Sequence, residues 1–433
     1  MSTTLFDGAT LDDWLHYLEH RDANPIRLGL QNTRLAAQRL NLLAIHAPVI
    51  TVAGTNGKGS TVAALEAIYS EAGYNVGTYT SPHLFVYNDR IRVNQQSIPD
   101  AELLFAFQTI EKSCADLSLT FFEVTTLAAL LYFKQFKLDV MLLEVGLGGR
   151  LDATNIIDAD LSIITTIAFD HQHFLGDTLE AIGGEKAGIL RANKPAIYAD
   201  ENPPQSVLSK AAELHVPLAL LGKTYTLQVS DDALQINYGS EKIQLPIPSI
   251  HPKTAASAVV ASQLLQSKLP VAPMHLIKAM QNVSIQGRLQ RVDGVVPTLL
   301  DVAHNPQAVA LLVRAVKDYH PKQHVHAVFS ALQDKDLCGL IKPMLEHVDF
   351  WYTALLTGNR ASSEERLSSV FQTVMGAVPT CYNHPKNAYR AAVLRAKPGD
   401  LIVVYGSFLT VQAVYGLCHG EKQEENSNEI CNE

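Results

Sequence analysis

The stretch VITVAGTNGKGSTVAALEAIYSEAGY, residues 49–74, runs from an apolar segment through a glycine-rich turn into a helical pattern. Val49–Ala53 reads as a buried strand and residues 61–72 as the helix that follows it. Between them Gly54, Gly57 and Gly59, interleaved with Thr55, Asn56 and Ser60, let backbone N–H groups curl around an anion without Cβ clashes. The helix N-terminus adds its own unpaired N–H groups and its dipole. Lys58 supplies a point charge for the β- and γ-phosphates of a nucleotide. One departure from the usual phosphate loop stands out: Gly59 follows the lysine, where a hydroxyl would normally reach Mg2+. Ser60 or a more distant hydroxyl has to take that duty. The competing reading is a glycine-rich turn with an incidental lysine, and the order strand, loop, lysine, helix weighs against it.

Outward from this stretch, apolar runs alternate with helical patterns, the mark of a parallel sheet covered by helices. Further strands are expected at 75–79, 139–145, 161–167 and 195–199, with helices at 101–114, 123–136 and 178–190. Residues 222–246 change character: TYTLQVS, ALQINYG and KIQLP alternate as a small antiparallel meander does. A helix at 254–268 follows, and a second αβ series places strands at 298–302, 324–329, 348–353 and 401–405. The expected division is a nucleotide-binding α/β domain over 1–285, a linker over 286–297, a smaller α/β domain over 298–420, and a polar tail over 421–433.

Composition bounds the function. A chain of 433 residues exceeds one ordinary core, and 47% apolar with 18% charged residues is globular. A net charge of −9 argues against a general nucleic-acid binder, while leaving room for a local pocket for anionic small molecules. Five scattered cysteines without CxxC spacing fit neither a disulfide framework nor a zinc site and read as reduced thiols. The N-terminal MSTTLFDGATLDDWL lacks the features of a signal peptide, and no apolar run reaches a membrane-spanning length. A cytoplasmic protein without membrane or nucleic-acid partners is expected.

Glu144 closes the apolar strand DVMLLEV and opens the turn GLGGR, at the strand end where such sheets bind ligands. It reads either as an anchor for Mg2+ or its waters, or as a loop carboxylate. Ser81 in TSPH and His171 in FDHQ also follow predicted strands, with Asp170 and His173 as rivals to His171. Lys186 in GGEKAGIL, read alone, is a solvated or ion-paired lysine.

Taken together, SPHL (81–84), RIRV (90–93), TFFE (120–123), EVGLGGRLDATN (144–155), DHQHFLG (170–176), EKAGI (185–189), QGRLQ (286–290), DVAHNP (301–306) and YGSF (405–408) carry a resemblance. In joint order and spacing the chain resembles the bacterial bifunctional dihydrofolate synthase/folylpolyglutamate synthase family of ATP-dependent Mur-type ligases. The resemblance implies a P-loop-containing, Mur-ligase-like central α/β domain with a mainly parallel sheet and a Rossmann-like C-terminal domain. It implies a reaction in which ATP phosphorylates a carboxylate, glutamate's amine attacks the acyl phosphate, and ADP and phosphate leave. The implied substrates are ATP, L-glutamate, dihydropteroate and reduced folates, with Mg2+ as cofactor, K+ as a further candidate ion, and a monomeric enzyme.

Residue by residue, the resemblance gives phosphate binding to Gly54–Lys58 and assigns Mg2+ to Ser81, Glu144 and His171. Ser81 then answers the hydroxyl missing at Gly59, with Ser60 as a second contributor. Lys186 matches a carbamylated lysine, whose carbamate is a carboxylate-like ligand for Mg2+. Arg288 and Asp301 match nucleotide-contacting residues, and His304 and Ser407 match positions associated with glutamate. Thr120, Phe121, Phe122 and Glu123, with Leu151, Asp152 and Ala153, match the pterin surface. The N-terminal DDWLHYLEHRD resembles a segment that helps hold dihydropteroate, and equally reads as an amphipathic helix packing Leu11, Trp14, Leu15 and Leu18. Lys58, Lys186 and His304 are the implied catalytic groups.

Lys253, in IHPKTAASA, stands where the family usually has an adenine-contacting Asn. A lysine offers donors and no acceptor, so altered base contacts are expected. Acyl phosphates hydrolyse readily, so nucleotide and glutamate residues on separate domains would make domain closure a condition for reaction. Two other readings compete: a monofunctional folylpolyglutamate synthase or cell-wall Mur ligase, and a P-loop switch without catalysis. TFFE, LDAT and the N-terminal segment favour a pterin substrate.

Overall fold

Val49–Ala53 (β1) is buried at every position because it lies inside a parallel sheet with both faces covered. The computed structural model describes residues 8–21, 27–230, 232–319, 323–358 and 360–419; the polar tail expected at 421–433 lies outside them. The chain divides into two units, Met1–Ser284 and Ile285–Glu433.

In the first unit β1 is joined by Val76–Tyr79 (β2), Ile91–Val93 (β3), Gln96–Ser97 (β4), Val140–Glu144 (β5), Leu161–Ile164 (β6), Ala196–Tyr198 (β7) and Leu218–Leu220 (β8). Among the described residues the sheet order is β4-β3-β2-β5-β1-β6-β7-β8, parallel except for the β3–β4 hairpin beside β2. Val52 pairs with Glu144 and Ala53 with Ile164, so the ends of β5, β1 and β6 lie level. Loops leaving the C-terminal ends of β1, β2, β5 and β6 therefore share one edge of the sheet.

The helices are Leu11–His20 (α1), Gln31–Arg39 (α2), Lys58–Glu71 (α3), Asp100–Cys114 (α4), Phe121–Phe133 (α5), Gln172–Leu175 (α6), Leu179–Ala187 (α7), Gln205–Glu213 (α8), Pro252–Leu264 (α9) and Pro273–Asn282 (α10). α3 is buried on nearly every side, since it packs on β5, β2 and β1 and also against α9 and α10. α1 starts at a capping box between Thr10 and Asp13, then sends Trp14 and Leu18 into a core with Phe107 and Ile110 of α4. Tyr225–Val229 (β9), Leu234–Tyr238 (β10) and Glu241–Leu245 (β11) form an antiparallel three-stranded meander.

The β3–β4 hairpin is absent from the sequence reading. Its strands are two and three residues long, and its turn places Asn94 and Gln95 at φ 52° and 64° without a glycine to announce it.

The second unit holds Gln290–Val292 (β12), Thr298–Leu300 (β13), Val325–Phe329 (β14), Phe350–Ala354 (β15), Cys381–Tyr382 (β16) and Leu401–Tyr405 (β17). Among the described residues their order is β12-β13-β17-β14-β15-β16, parallel except at β12. Part of the segment read as a linker, 286–297, is thus an edge strand of this sheet. Pro306–Tyr319 (α11), Leu337–Ile341 (α12), Glu364–Met375 (α13), Pro385–Arg395 (α14) and Phe408–Cys418 (α15) cover it, around a core of Phe329, Trp351, Phe371 and Tyr405.

At the start of β14 and β17 a buried network joins His326 Nδ1 to the Tyr352 hydroxyl at 3.1 Å and Nε2 to Asp400 Oδ2 at 3.1 Å. Burial lowers the pKa of His326, with Asp400 only partly opposing the shift. Burial also pushes Asp400 upward, but the Lys397 and His324 N–H groups and His326 outweigh it and hold the carboxyl below its ordinary value. Both depressed values favour the folded state at higher pH. Stability of this unit should be full above His326's ordinary value of 6.5 and fall as pH drops through its depressed one. It should fall again at lower pH as Asp400 is protonated. Urea unfolding followed by Trp351 fluorescence in a Trp14→Phe background should show a midpoint that declines from pH 7 to pH 5, with the decline flattened in His326→Gln.

Candidate active site

The turn after β1 is shaped by its contact with the segment after β6. Gly54 has φ 151°, and a Cβ there would stand 1.7 Å from Thr165 Oγ1. Thr165 Oγ1 donates to the Asn56 carbonyl at 2.6 Å, the Thr55 N–H donates to the Thr166 carbonyl at 2.7 Å, and the Asn56 N–H donates to Thr166 Oγ1 at 3.2 Å. Thr55 Oγ1 donates to the Ala168 carbonyl and accepts from the Ala168 N–H. Gly57, at φ 85°, caps α3 in the left-handed region that glycine adopts freely. Lys58 Nζ bends back to the carbonyls of Gly54 at 3.1 Å and Thr55 at 3.3 Å. Ser60 is half-buried in the first turn of α3.

Directly beneath the loop lies Glu144, only 5% exposed. A Cβ at Gly59 would stand 3.4 Å from Glu144 Oε2, an ordinary van der Waals contact, so the loop lies directly against the carboxylate. The Ser81 N–H donates to the same oxygen at 3.1 Å. Gly59, Ser81 and Glu144 are therefore one group. The missing hydroxyl of the loop and the carboxylate are two sides of the same packing.

Lys186, on α7, forms a second group. It is 3% exposed, and among the described residues no hydrogen bond or ion pair reaches its ammonium. Desolvation, reinforced by the charge of Lys58, lowers its pKa to about 7, against the opposing pull of Asp170 and Asp152. Two glycines allow this burial. A Cβ at Gly149 would stand 2.8 Å from the Glu185 carbonyl, and one at Gly188 would stand 2.3 Å from Arg150 Cβ. GLGGR and EKAGI thus dock on one another. His171 caps α6 at φ 50°, with its N–H on Asp170 Oδ1 at 2.9 Å and its Nε2 3.9 Å from the same oxygen.

In the second unit, Asp301 follows β13 and accepts the N–H groups of Leu289 and Ala303, each at 2.7 Å. Burial raises its pKa, against the charge of Arg288. Arg288 lies 5.0 Å from the Phe408 ring centroid, and His304 lies 6.0 Å from the same ring. His304 Nδ1 donates to the Val302 carbonyl at 3.0 Å, which makes Nε2 the acceptor nitrogen of the neutral ring. Ser407 caps α15: its hydroxyl accepts the Thr410 N–H at 3.0 Å and donates to Thr410 Oγ1 at 2.8 Å.

Two family models match the chain: the Mur ligase middle domain over residues 52–265 and the Mur ligase glutamate ligase domain over 287–408. It is 40% identical to the Escherichia coli dihydrofolate synthase/folylpolyglutamate synthase over 94% of this chain and 95% of that one. The solved structure of E. coli FolC in complex with DHPP and ADP superposes with a TM-score of 0.91 at 39% identity, covering 96% of this chain and 99% of that one. A bifunctional synthase with Mn, AMPPNP and L-glutamate bound gives 0.88 at 40% identity, over 95% and 98% of the two chains. The chain belongs to the dihydrofolate synthase/folylpolyglutamate synthase family of Mur ligases.

In this ligase several side chains read as pterin contacts already have structural tasks. Thr120 and Glu123 form a capping box at the start of α5, and Glu123 also accepts from Thr33 Oγ1 at 2.6 Å. Asp152 accepts from the N–H groups of Leu147 and Thr154 and from the Thr154 hydroxyl, organising the turn after β5. Ala153 is buried in the short 3-10 turn that Asp152 caps. Phe121 and Phe122 are half-buried; a Cβ at Gly146 would stand 2.5 Å from Phe122 Cζ. The Leu151 carbonyl accepts the Gly29 N–H at 3.3 Å, and Arg27 lies 3.7 Å from Glu123. Arg21, at the end of α1, donates through Nε to the Leu119 carbonyl beside this surface at 3.1 Å, and segment 27–30 meets it as well. Its only sequence signal was its position after the N-terminal helix.

Three further pairings escaped the sequence reading, although Lys253 itself did not. Lys253, in the first turn of α9, pairs with Asp200 at 2.7 Å and Glu201 at 3.5 Å, and its neighbour Thr254 lies 3.4 Å from where a Gly57 Cβ would stand. His83 Nδ1 accepts from Arg90 Nε at 2.9 Å. Burial and the Arg90 charge lower the His83 pKa to about 4. Lys335, in LQDKD after β14, is a nearly buried cation 3.4 Å from Asp334.

Gly54→Ala should weaken binding of a non-hydrolysable ATP analogue by more than 10-fold in calorimetry, with the circular dichroism spectrum kept. Adding Thr165→Ala removes the nearest atom but leaves a Cβ at 3.0 Å, so binding should recover only in part.

Proposed function

We propose that this ligase uses ATP to join L-glutamate to dihydropteroate, forming dihydrofolate, and adds further glutamates to reduced folates. One observation supports the reading above the rest: the phosphate loop, the buried Glu144 and the buried Lys186 occur together in a chain matched to bifunctional relatives across both units.

The substrate carboxylate attacks the γ-phosphorus of ATP, ADP leaves, and an acyl phosphate forms. Glutamate's amine attacks that carbonyl, expels phosphate and loses a proton. The Gly54–Lys58 backbone and Lys58 hold the phosphates, and the ammonium offsets charge developing on the γ-phosphate. Nucleotide binding would draw Lys58 off the carbonyls of Gly54 and Thr55. Arg288 and Asp301 serve the nucleotide. His304, held through Nδ1–H on the Val302 carbonyl, is the base for the amine proton on this reading, and Ser407 serves glutamate while capping α15.

The donor set fits Mg2+. Among the described residues no three His, Cys, Asp or Glu side chains gather into a metal cluster. That suits an ion that keeps several waters and takes phosphate oxygens, with Glu144, Ser81 and His171 as protein ligands. Bound there, Mg2+ would neutralise crowded phosphate and carboxylate oxygens. The same oxygen-rich end of the site is where K+ would sit.

Lys186 is carbamylated on this reading. Its neutral amine attacks CO2, a C–N bond forms, and one proton leaves, giving a carbamate anion with oxygen ligands. Desolvation favours the neutral amine that this needs. Lys253, held by Asp200 at 2.7 Å, offers donors and no acceptor, which weakens the base contacts that an amide at this position would make. The enzyme works as a monomer in the cytoplasm. The described cysteines, Cys114, Cys338, Cys381 and Cys418, are free thiols, and no described helix is long and apolar enough to cross a membrane.

Purified enzyme with ATP, Mg2+ and glutamate should release ADP only when dihydropteroate or a reduced folate is added. Release with uridine-linked muropeptides would select a cell-wall ligase instead, and no release with any acceptor would favour a nucleotide switch. A crystal structure near neutral pH with ATP and Mg2+ should show carbamate density on Lys186; a bare amine there would contradict the assignment. Lys253→Asn should lower the KM for ATP, and an unchanged KM would count against a base contact at this position.

A further inference from the structure

SPHL gives Ser81 to the site around Glu144, while its histidine has no task in the reaction so far. We propose that His83 is a substrate-binding residue whose Nε2–H holds the carboxylate of the acceptor substrate for attack on the γ-phosphate, with Arg90 as the positioning residue that fixes the ring. The inference rests on the ligase reading above.

The geometry begins with Arg90. It is nearly buried, lies 5.1 Å from the Tyr87 ring centroid and 5.6 Å from that of Phe121, and aims Nε at His83 Nδ1 across 2.9 Å. A guanidinium has donors and no acceptor, so Nδ1 must present its lone pair. The ring is therefore neutral and carries its hydrogen on Nε2. Among the described residues that Nε2–H meets no hydrogen-bond partner. The ring is half-buried, with the Tyr87 ring 5.7 Å away. A fixed, unmatched donor inside a partly buried site is poised for a ligand.

Its place says which ligand. Two residues earlier the Ser81 N–H binds Glu144, and Glu144 lies under the phosphate loop at Gly59. On its other side, Arg90 leads to Phe121, next to Phe122 on the wall at Gly146. His83 thus lies two residues from the group around Glu144 and is linked through Arg90 to the aromatic side chain of Phe121. The proposed acceptor carboxylate meets Nε2–H at this position. The chemistry suits a neutral donor. An ammonium or guanidinium would bind the carboxylate tightly and blunt its lone pairs, whereas a neutral N–H orients it and leaves it nucleophilic.

Asn and Gln separate the two ring nitrogens. In His83→Asn the amide oxygen can still accept from Arg90, but nothing replaces Nε2–H; in His83→Gln an amide N–H reaches the Nε2 position. Acceptor-dependent ADP release by the wild type tests the ligase reading, and the ratios of variants to wild type test this inference. His83→Asn should melt like the wild type and keep its KM for ATP, while kcat/KM for dihydropteroate falls about 10- to 100-fold. His83→Gln should recover most of that loss. Arg90→Met should lose a similar factor by freeing the tautomer, and the double variant His83→Asn/Arg90→Met should lose little more. Wild-type kinetics in His83→Asn would overturn the proposal, as would equal losses in the Asn and Gln variants. Additive losses with a lowered melting temperature would reduce Arg90 to a structural residue and remove its positioning role.

Discussion

The first unit depends on keeping one carboxylate buried at the end of a strand. Removing a carboxylate from water is costly unless donors or cations meet it, so the surroundings of Glu144 are constrained. The register of β1 against β5 brings it level with the phosphate loop, Gly59 yields it space, and the Ser81 N–H meets one oxygen. Ser81 is itself held from behind. Arg92 binds Glu66 of α3 through Nε at 3.2 Å and Nη2 at 2.8 Å, and reaches Thr80 Oγ1 at 3.3 Å. The helix that carries the phosphate loop and the strand that carries Ser81 are thereby tied together. The loop that lacks the usual hydroxyl at Gly59 lies directly against this carboxylate.

Around this group the charges are set against one another. Lys58 and Lys186 repel, which helps keep the buried amine of Lys186 neutral, while Asp152 and Asp170 limit the effect. Converting that amine to an anion would turn the repulsion from Lys58 into attraction. Burial favours the neutral, nucleophilic amine that the proposed carbamylation requires, while Asp152 and Asp170 would oppose its anionic product.

Much of this was legible before any coordinates. The unbroken apolar run of β1, its glycines and the helix after it pointed to a phosphate loop, and the alternation of strands and helices to two α/β units; the Mur-ligase fold came from the joint resemblance of the motifs. Motif matching did not show the structural tasks that residues assigned to the pterin and glutamate also carry. Thr120 and Glu123 spell Thr-x-x-Glu at a helix start, a capping signal visible in TFFE, and Ser407 stands just before a helix in the same way. Position within a motif did not say which atoms were already occupied. The pairings that decide His83 and Lys253 join residues 7 positions apart in the loop between β2 and β3 and across 53 positions of chain, and no local pattern announces them.

The central claim is that ATP activates a carboxylate for amide formation, and isotope transfer tests it most directly. Dihydropteroate labelled with 18O in both carboxylate oxygens should leave one label in the new amide carbonyl and pass the other to inorganic phosphate, one atom per turnover. Phosphate released without label, while ADP and dihydrofolate accumulate, would contradict an acyl phosphate and the account built on it.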